Sequence, residues 1–187
     1  MAEIFNSYKS AVDLTPLVSL CEKEGKRVIY QKGDYLLHKG DVEQHISLVE
    51  SGYCRYVSLK SNGDEAVVGF SMVGEFVADF NNGVCRLPSM VSLIASSHVE
   101  VLQVPIESAM STLLESDPLF LYKVSDALFR VCYARLVDIY TLTPAERYEK
   151  FVNSYPDITS QIMLKELASF LQISPQHLLR IKKNVKN

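Results

Sequence analysis

Gln176, His177, Arg180, Lys182 and Lys183 stand close together near the end of a 187-residue chain. At helical spacing Gln176, His177, Arg180 and Lys183 share an outer face. Their chemistry is that of donors and cations. An amide or a guanidinium can bond a base edge bidentately, and an ammonium neutralises a phosphate. Such a set can read double-stranded DNA only if a second helix holds it outward.

The preceding residues supply that support. Leu164, Leu167, Ala168 and Leu171 fall on one face of an expected eleven-residue helix. Ala168 is small where two helices would cross, and Ile173 plugs the turn. Ser174 is an N-cap followed by Pro175 at the first helical position, where a missing N–H costs nothing. Leu178 and Ile181 then point back at the first helix. Ser174, Gln176, His177, Arg180, Lys182 and Lys183 are the expected DNA-contacting residues. Gln172 occupies the turn position usually given to Gly, so it must accept a left-handed backbone at some cost.

Composition bounds the rest. Apolar residues make up 48% of the chain, enough for a substantial core, and the net charge is −3. Charge is uneven. Residues 142–187 carry seven Lys/Arg against four Asp/Glu, a balance of +3, leaving −6 on the remainder. An acidic body with a basic tip suits a protein that offers only the tip to phosphates. Cys21, Cys54, Cys85 and Cys132 are scattered without a Cys-x-x-Cys pair, which argues for buried, reduced thiols. The first residues lack a basic, then apolar, leader pattern, and no run approaches transmembrane length. A cytoplasmic protein without a membrane partner is expected.

Three regions follow along the chain. A helix opens at Thr15-Pro16, presents Leu17, Leu20 and Cys21 on one face, and ends at Gly25. Short β-runs follow at 27–30, 35–37, 46–49, 53–57, 66–70, 91–94 and 99–102, with a hairpin turn at Ser61-Asn62-Gly63-Asp64. Many short strands with regular turns imply a sandwich, barrel or roll. A helix is expected from Pro105 to about Glu115. A long helix is then expected from Asp117-Pro118 to about Leu142, with Leu121, Val124, Leu128 and Val131 on one line and a narrow polar stripe of Lys123, Asp126 and Arg130. So apolar a helix needs cover on more than one side. One cover is the β-region. The other is either the same helix of a second subunit, which a palindromic DNA site favours, or more of its own chain. Thr143-Pro144-Ala145-Glu146 is a capping box that starts a fresh helix. The expected division is a sensor at 1–116, a long dimer helix at 117–142 and a DNA-binding unit at 143–187.

With these features the chain resembles a Crp–Fnr type transcriptional regulator over nearly its full length. The turn series Lys32-Gly33-Asp34, Lys39-Gly40-Asp41 and Glu50-Ser51-Gly52-Tyr53-Cys54-Arg55 is similar to the family's cyclic-nucleotide-binding β-roll. Ala145-Glu146-Arg147-Tyr148 and Ile173–Ile181 are similar to a subgroup associated with Bacteroidetes. The resemblance implies an α+β fold: an antiparallel β-roll of jelly-roll type, a long dimerisation helix, and a helix-turn-helix that lacks a full wing, with fewer phosphate contacts as a result. It implies a homodimer, double-stranded DNA with a palindromic operator as partner, a small-molecule effector, and neither enzymatic activity nor a cofactor.

The effector segment departs from the family pattern. Members that bind cyclic AMP carry a Gly-Glu pair and, ten residues after its Glu, an Arg-Ser pair. Matching Gly74–Phe80 to that segment places Ala78 and Asp79 at the first pair, and Ser89 and Met90 at the second. The guanidinium is missing, and Arg86 lies three positions early. A cyclic phosphate would forfeit its charge-assisted partner, so cyclic AMP is not the expected effector. The candidate pocket comprises Gly74, Glu75, Ala78, Asp79, Arg86, Ser89, Met90, Cys132 and Tyr133. Cysteines grouped for an iron–sulfur cluster are absent, and His38, His45 and His98 are separate in sequence. A cupin-like enzyme would need a His-x-His pair, which the chain does not have. The competing reading is a ligand-binding or interaction module with a degenerate helix-turn-helix, for which Gln172 and the missing wing speak.

Overall fold

The computed structural model describes residues 11–185. Helix α1 (Thr15–Glu24) begins with Pro16 in its first turn and buries Leu17 and Cys21. Eight strands follow: β1 (Lys26–Tyr30), β2 (Tyr35–Leu37), β3 (His45–Ser51), β4 (Cys54–Leu59), β5 (Glu65–Ser71), β6 (Phe76–Val77), β7 (Ser92–Ala95) and β8 (Val99–Pro105). They form two four-stranded sheets with the orders β1-β8-β3-β6 and β2-β7-β4-β5, antiparallel throughout. This is an antiparallel jelly roll followed by helices, α+β overall.

Alternation along the strands explains the layers. Val99 and Val101 of β8 face the other sheet with Val49, Cys54, Leu93 and Ala95. Leu102 and Val104 point the other way, onto α1 and the helices after the roll. Asn62-Gly63 closes the β4–β5 hairpin, with Gly63 at φ 85 and the Lys60 amide donating to the Asp64 carbonyl at 2.9 Å. Gly52 is required for a tighter reason. It has φ 74, and a Cβ there would lie 2.1 Å from the His98 carbonyl oxygen.

The short helix α2 (Phe80–Val84) and strand β6 were not legible as elements in the sequence, being five and two residues long. Helices α3 (Ile106–Ser116) and α4 (Phe120–Thr141) follow. The long helix starts later than expected because Asp117 closes a turn ahead of it. Its carboxylate accepts from the Leu119 amide at 3.0 Å and from Lys123 at 2.6 Å, while its carbonyl accepts from the Phe120 amide. Helix α5 (Pro144–Ser154) carries the expected capping box: Glu146 accepts from the Thr143 amide at 2.7 Å, and the Glu146 amide donates to the Thr143 hydroxyl at 3.3 Å. Then come α6 (Pro156–Thr159), which the sequence did not reveal, α7 (Leu164–Phe170) and α8 (Pro175–Val185).

Two expectations are corrected. The first helix of the C-terminal pair has seven residues, not eleven, because the chain turns left-handed directly after it. The four cysteines are free, yet only Cys21 and Cys54 are buried; Cys85 and Cys132 are exposed. Among the described residues no helix is long and apolar enough to cross a membrane.

Candidate nucleic-acid interface and inner cavity

Helices α7 and α8 are joined by a tight stop. Gln172 takes φ 58. The Gln172 amide donates to the Ser169 carbonyl at 3.1 Å and the Ile173 amide to the Ala168 carbonyl at 3.0 Å. These are the paired bonds of a Schellman ending, with glutamine where glycine is usual. Ser174 then caps α8, its hydroxyl accepting from the His177 amide at 3.2 Å. Ala168 and Leu178 are fully buried where the helices meet, and Leu167, Leu171 and Ile181 complete the seal. On the other side of α8, Gln176, His177, Arg180 and Lys183 are exposed with Leu179, while Lys182 is half-buried. Lys186 and the first residues of the chain lie outside the described residues.

The back of this pair rests on the roll. Glu166 of α7 is buried, and its carboxylate accepts from the Tyr53 hydroxyl at 2.8 Å and the Ser96 hydroxyl at 3.0 Å, with Arg55 at 3.4 Å. The Met163 amide donates to the Tyr53 oxygen at 3.2 Å, and the Val67 amide of β5 to the Ser169 hydroxyl at 3.0 Å. Burial, with the neighbouring Glu166 charge adding to it, pushes the Tyr53 phenol up to about 12. Phe70 and Phe170 pack in a tilted ring contact at 5.4 Å beside this network. Arg147 fixes the junction, donating to the Leu142 carbonyl at 2.7 Å and to the Leu171 carbonyl at 3.1 and 3.2 Å. Sequence reasoning missed Glu166. Among alternating charged and apolar residues it looks solvated, and its partners lie 70 to 113 positions away.

Between the roll and α4 lies a cavity of about 320 Å³. Ala78, Asp79 and Cys132 line it, together with Tyr56, Phe76, Val124, Leu128 and Arg135. Asp79 is held inside the protein: its carboxylate accepts from the Ser89 hydroxyl at 2.5 Å and from Asn82 at 2.8 Å. Its amide donates to the Glu43 carboxylate at 3.3 Å, and burial raises the Glu43 pKa, with the Asp79 charge adding to the effect. The Asp79 carboxylate and the nearby Glu43 carboxylate therefore stand together here, and Ser89 and Met90 bring no cation to them. An added anion there meets like charge in a poorly solvated place.

The other expected pocket residues scatter. Gly74 forms a turn at φ 77, and the Glu75 carboxylate, buried beside it, accepts from the Met72 amide at 3.0 Å. Arg86, itself at φ 53, turns outward to Glu107 at 2.6 Å. Met90 is exposed, and Tyr133 is exposed against Phe129 with rings 5.7 Å apart. None of these five residues lines the cavity. Arg135 does, and the sequence reading did not single it out. Burial lowers its pKa, and its guanidinium lies 5.1 Å from the centre of the Phe170 ring of α7.

The fold is an antiparallel jelly roll followed by helices. Residues 27–117 match the family model described as the cyclic nucleotide-binding domain. Among solved structures, FixK2 from Bradyrhizobium japonicum is similar with a TM-score of 0.72 at 15% identity, over 87% of this chain and 84% of that one. The c-di-GMP-responsive global regulator CLP of Xanthomonas campestris is similar with a TM-score of 0.67 at 18% identity, over 93% and 92%. The Thermus thermophilus catabolite activator protein gives 0.56 at 19%, over 96% and 86%. No curated protein matches the chain in sequence.

Proposed function

We propose that this protein is a DNA-binding transcriptional regulator of Crp–Fnr type, a cytoplasmic homodimer that responds to a small molecule other than cyclic AMP. The observation that carries the reading is the outer side of α8. Its inner side is sealed by Leu178 and Ile181, so Gln176, His177, Arg180 and Lys183 are free to face a major groove. Arg180 is the base-reading residue, suited to guanine, with Gln176 and His177 beside it; Lys182 and Lys183 serve phosphates.

Dimerisation rests on α4. Tyr122, Phe129, Tyr133, Leu136 and Tyr140 are exposed and recur at alternating three- and four-residue intervals, with Asp126 filling the missing place. That period is the one two parallel helices share along a common seam. The seam lies on the side of α4 opposite Phe120, Val124 and Leu128, so roll and partner would each cover one face. Residues 1–116 would then sense, 117–142 dimerise and 143–187 read DNA. Effector binding would shift the balance of reader orientations by its difference in affinity between them.

A gel shift of the full chain on the DNA upstream of its own gene tests the reading. Retarded, competitor-resistant bands support it. Binding no tighter than to random DNA leaves an interaction module with a degenerate helix pair.

A further inference from the structure

Helix α8 carries a large apolar side chain on its outer side. Leu179 is 47% exposed, whereas Leu178 beside it is fully buried. At about 100° per residue, Leu179 and Arg180 stand about 130° to either side of the direction in which Leu178 and Ile181 point inward. Gln176 lies one turn before this pair and Lys183 one turn after it, both exposed. The outer side is thus a diamond made of an amide, a leucine, a guanidinium and an ammonium group.

A lone exposed leucine is ordinary on a protein surface. This one is bracketed, because Lys182 stands beyond it around the helix and His177 stands beyond Arg180. A partner that seats Arg180 and both lysines must therefore cover Leu179 as well. That partner is anionic: the sequence of α8 contains Arg180, Lys182 and Lys183 and no Asp or Glu. A duplex meets this description, and its major groove offers a leucine one apolar group. Thymine places its C5 methyl there, while the other bases present hydrogen-bond donors and acceptors.

We infer that Leu179 reads a thymine by packing on its C5 methyl, next to the base that Arg180 contacts. The inference rests on the regulator reading and deepens it, fixing the kind of base at one position of the DNA site. Leu179 is thereby a specificity residue, in contact with the ligand itself.

Duplexes selected from a random pool by the full chain supply the site for the test. Each thymine of one half-site is then replaced singly by deoxyuridine, which keeps every hydrogen-bonding group and removes only the methyl. Fluorescence anisotropy measures binding at one fixed salt concentration, since phosphate contacts vary steeply with salt. One thymine, beside the position that Arg180→Ala relaxes, should weaken binding about fourfold on becoming deoxyuridine. That is the equivalent of about 0.8 kcal/mol, the worth of one methylene-sized group taken out of water. Leu179→Ala should bind the two duplexes equally, and Leu179→Met, which still reaches the groove with an apolar side chain, should keep the difference. Absence of any such thymine overturns the inference. So does a difference that survives Leu179→Ala, which would belong to the stiffness of the duplex. The thymine series in the unaltered chain decides even if a variant fails to fold. A pool that yields no preferred sequence removes the regulator reading and this inference together. A preferred sequence that is indifferent to deoxyuridine removes this inference alone.

Discussion

The Tyr53 hydroxyl lies 2.8 Å from the buried Glu166 carboxylate, joining a roll residue to the first helix of the C-terminal pair across 113 positions of sequence. Ser96 and Arg55 complete the ring around that carboxylate, so three side chains of the roll meet at one buried charge. A buried carboxylate is tolerated when its lone pairs are filled, and it is costly when one partner is withdrawn.

Tyr53→Phe removes the donor to Glu166 and the acceptor for the Met163 amide in one step. The expected loss is about 1–3 kcal/mol of stability, since the phenyl ring still fills its place but the buried Glu166 carboxylate and the half-buried Met163 amide each lose a partner. Urea unfolding measures it. A change below about 0.5 kcal/mol, the range of ordinary surface substitutions, would show that the ring alone holds the helices to the roll.

The same residue sets an alkaline limit. Its folded pKa, about 12, is above the ordinary phenol value of 10. The unfolded chain therefore loses this proton first as pH rises. Stability from the neutral phenol is fully present below pH 10 and is lost between 10 and about 12. Tyr30, Tyr56 and Tyr148 are also raised by burial, so the informative quantity is a difference. The fall in melting temperature from pH 9 to 11 should be smaller in Tyr53→Phe than in the unaltered chain. Parallel falls would assign the limit to the other groups that burial raises, the three tyrosines and the Cys21 and Cys54 thiols.

Ser89 and Asp79 stand ten positions apart, at the spacing where a cyclic phosphate would need a cation, and they bond to each other at 2.5 Å. Cyclic AMP should leave the melting temperature unchanged even at millimolar concentration, because Ser89, bonded to the Asp79 carboxylate, stands where a guanidinium would be needed. Ser89→Ala should cost about 1.5–3 kcal/mol, the usual worth of a hydrogen bond to a charged group. A cyclic AMP-dependent rise in melting temperature would contradict the assignment.

Local physics explains what could be read in the sequence. The hairpin at Asn62-Gly63, the capping box at Thr143 and the Ser174-Pro175 start are set by neighbouring residues, and each stands where its chemistry demands. Gln172 was marked as a left-handed position and is one, at φ 58. The candidate pocket was less legible. Residues 74–90 are adjacent in a motif, yet two turns carry Gly74 and Arg86 away from the cavity that Ala78 and Asp79 line. Glu166 and Arg135 were hidden for another reason: their roles depend on partners brought close only by tertiary folding. No window along the chain shows that Glu166 meets Tyr53, or that Arg135 meets Phe170.

The seam on α4 makes a prediction separable from folding. Phe129 and Leu136 are exposed in the single chain, by 64% and 49%, and lie two helical turns apart. An aspartate at either position is solvated in a monomer and buried against a partner's apolar side chains in a dimer. A charge placed in such an interface without a counterion is strongly unfavourable. Light scattering should find a dimer for the unaltered chain and a monomer for Phe129→Asp and Leu136→Asp, with unchanged far-ultraviolet circular dichroism. Arg180→Ala should remain a dimer, lose about 1–3 kcal/mol on its specific DNA site and relax one base position. If the aspartate variants stay dimeric, the seam is not the interface, and two readers would have to be spaced by some other contact. If they become monomers and also lose the gel shift while Arg180→Ala loses only base discrimination, then pairing along α4 and contact through α8 are separate requirements for DNA binding.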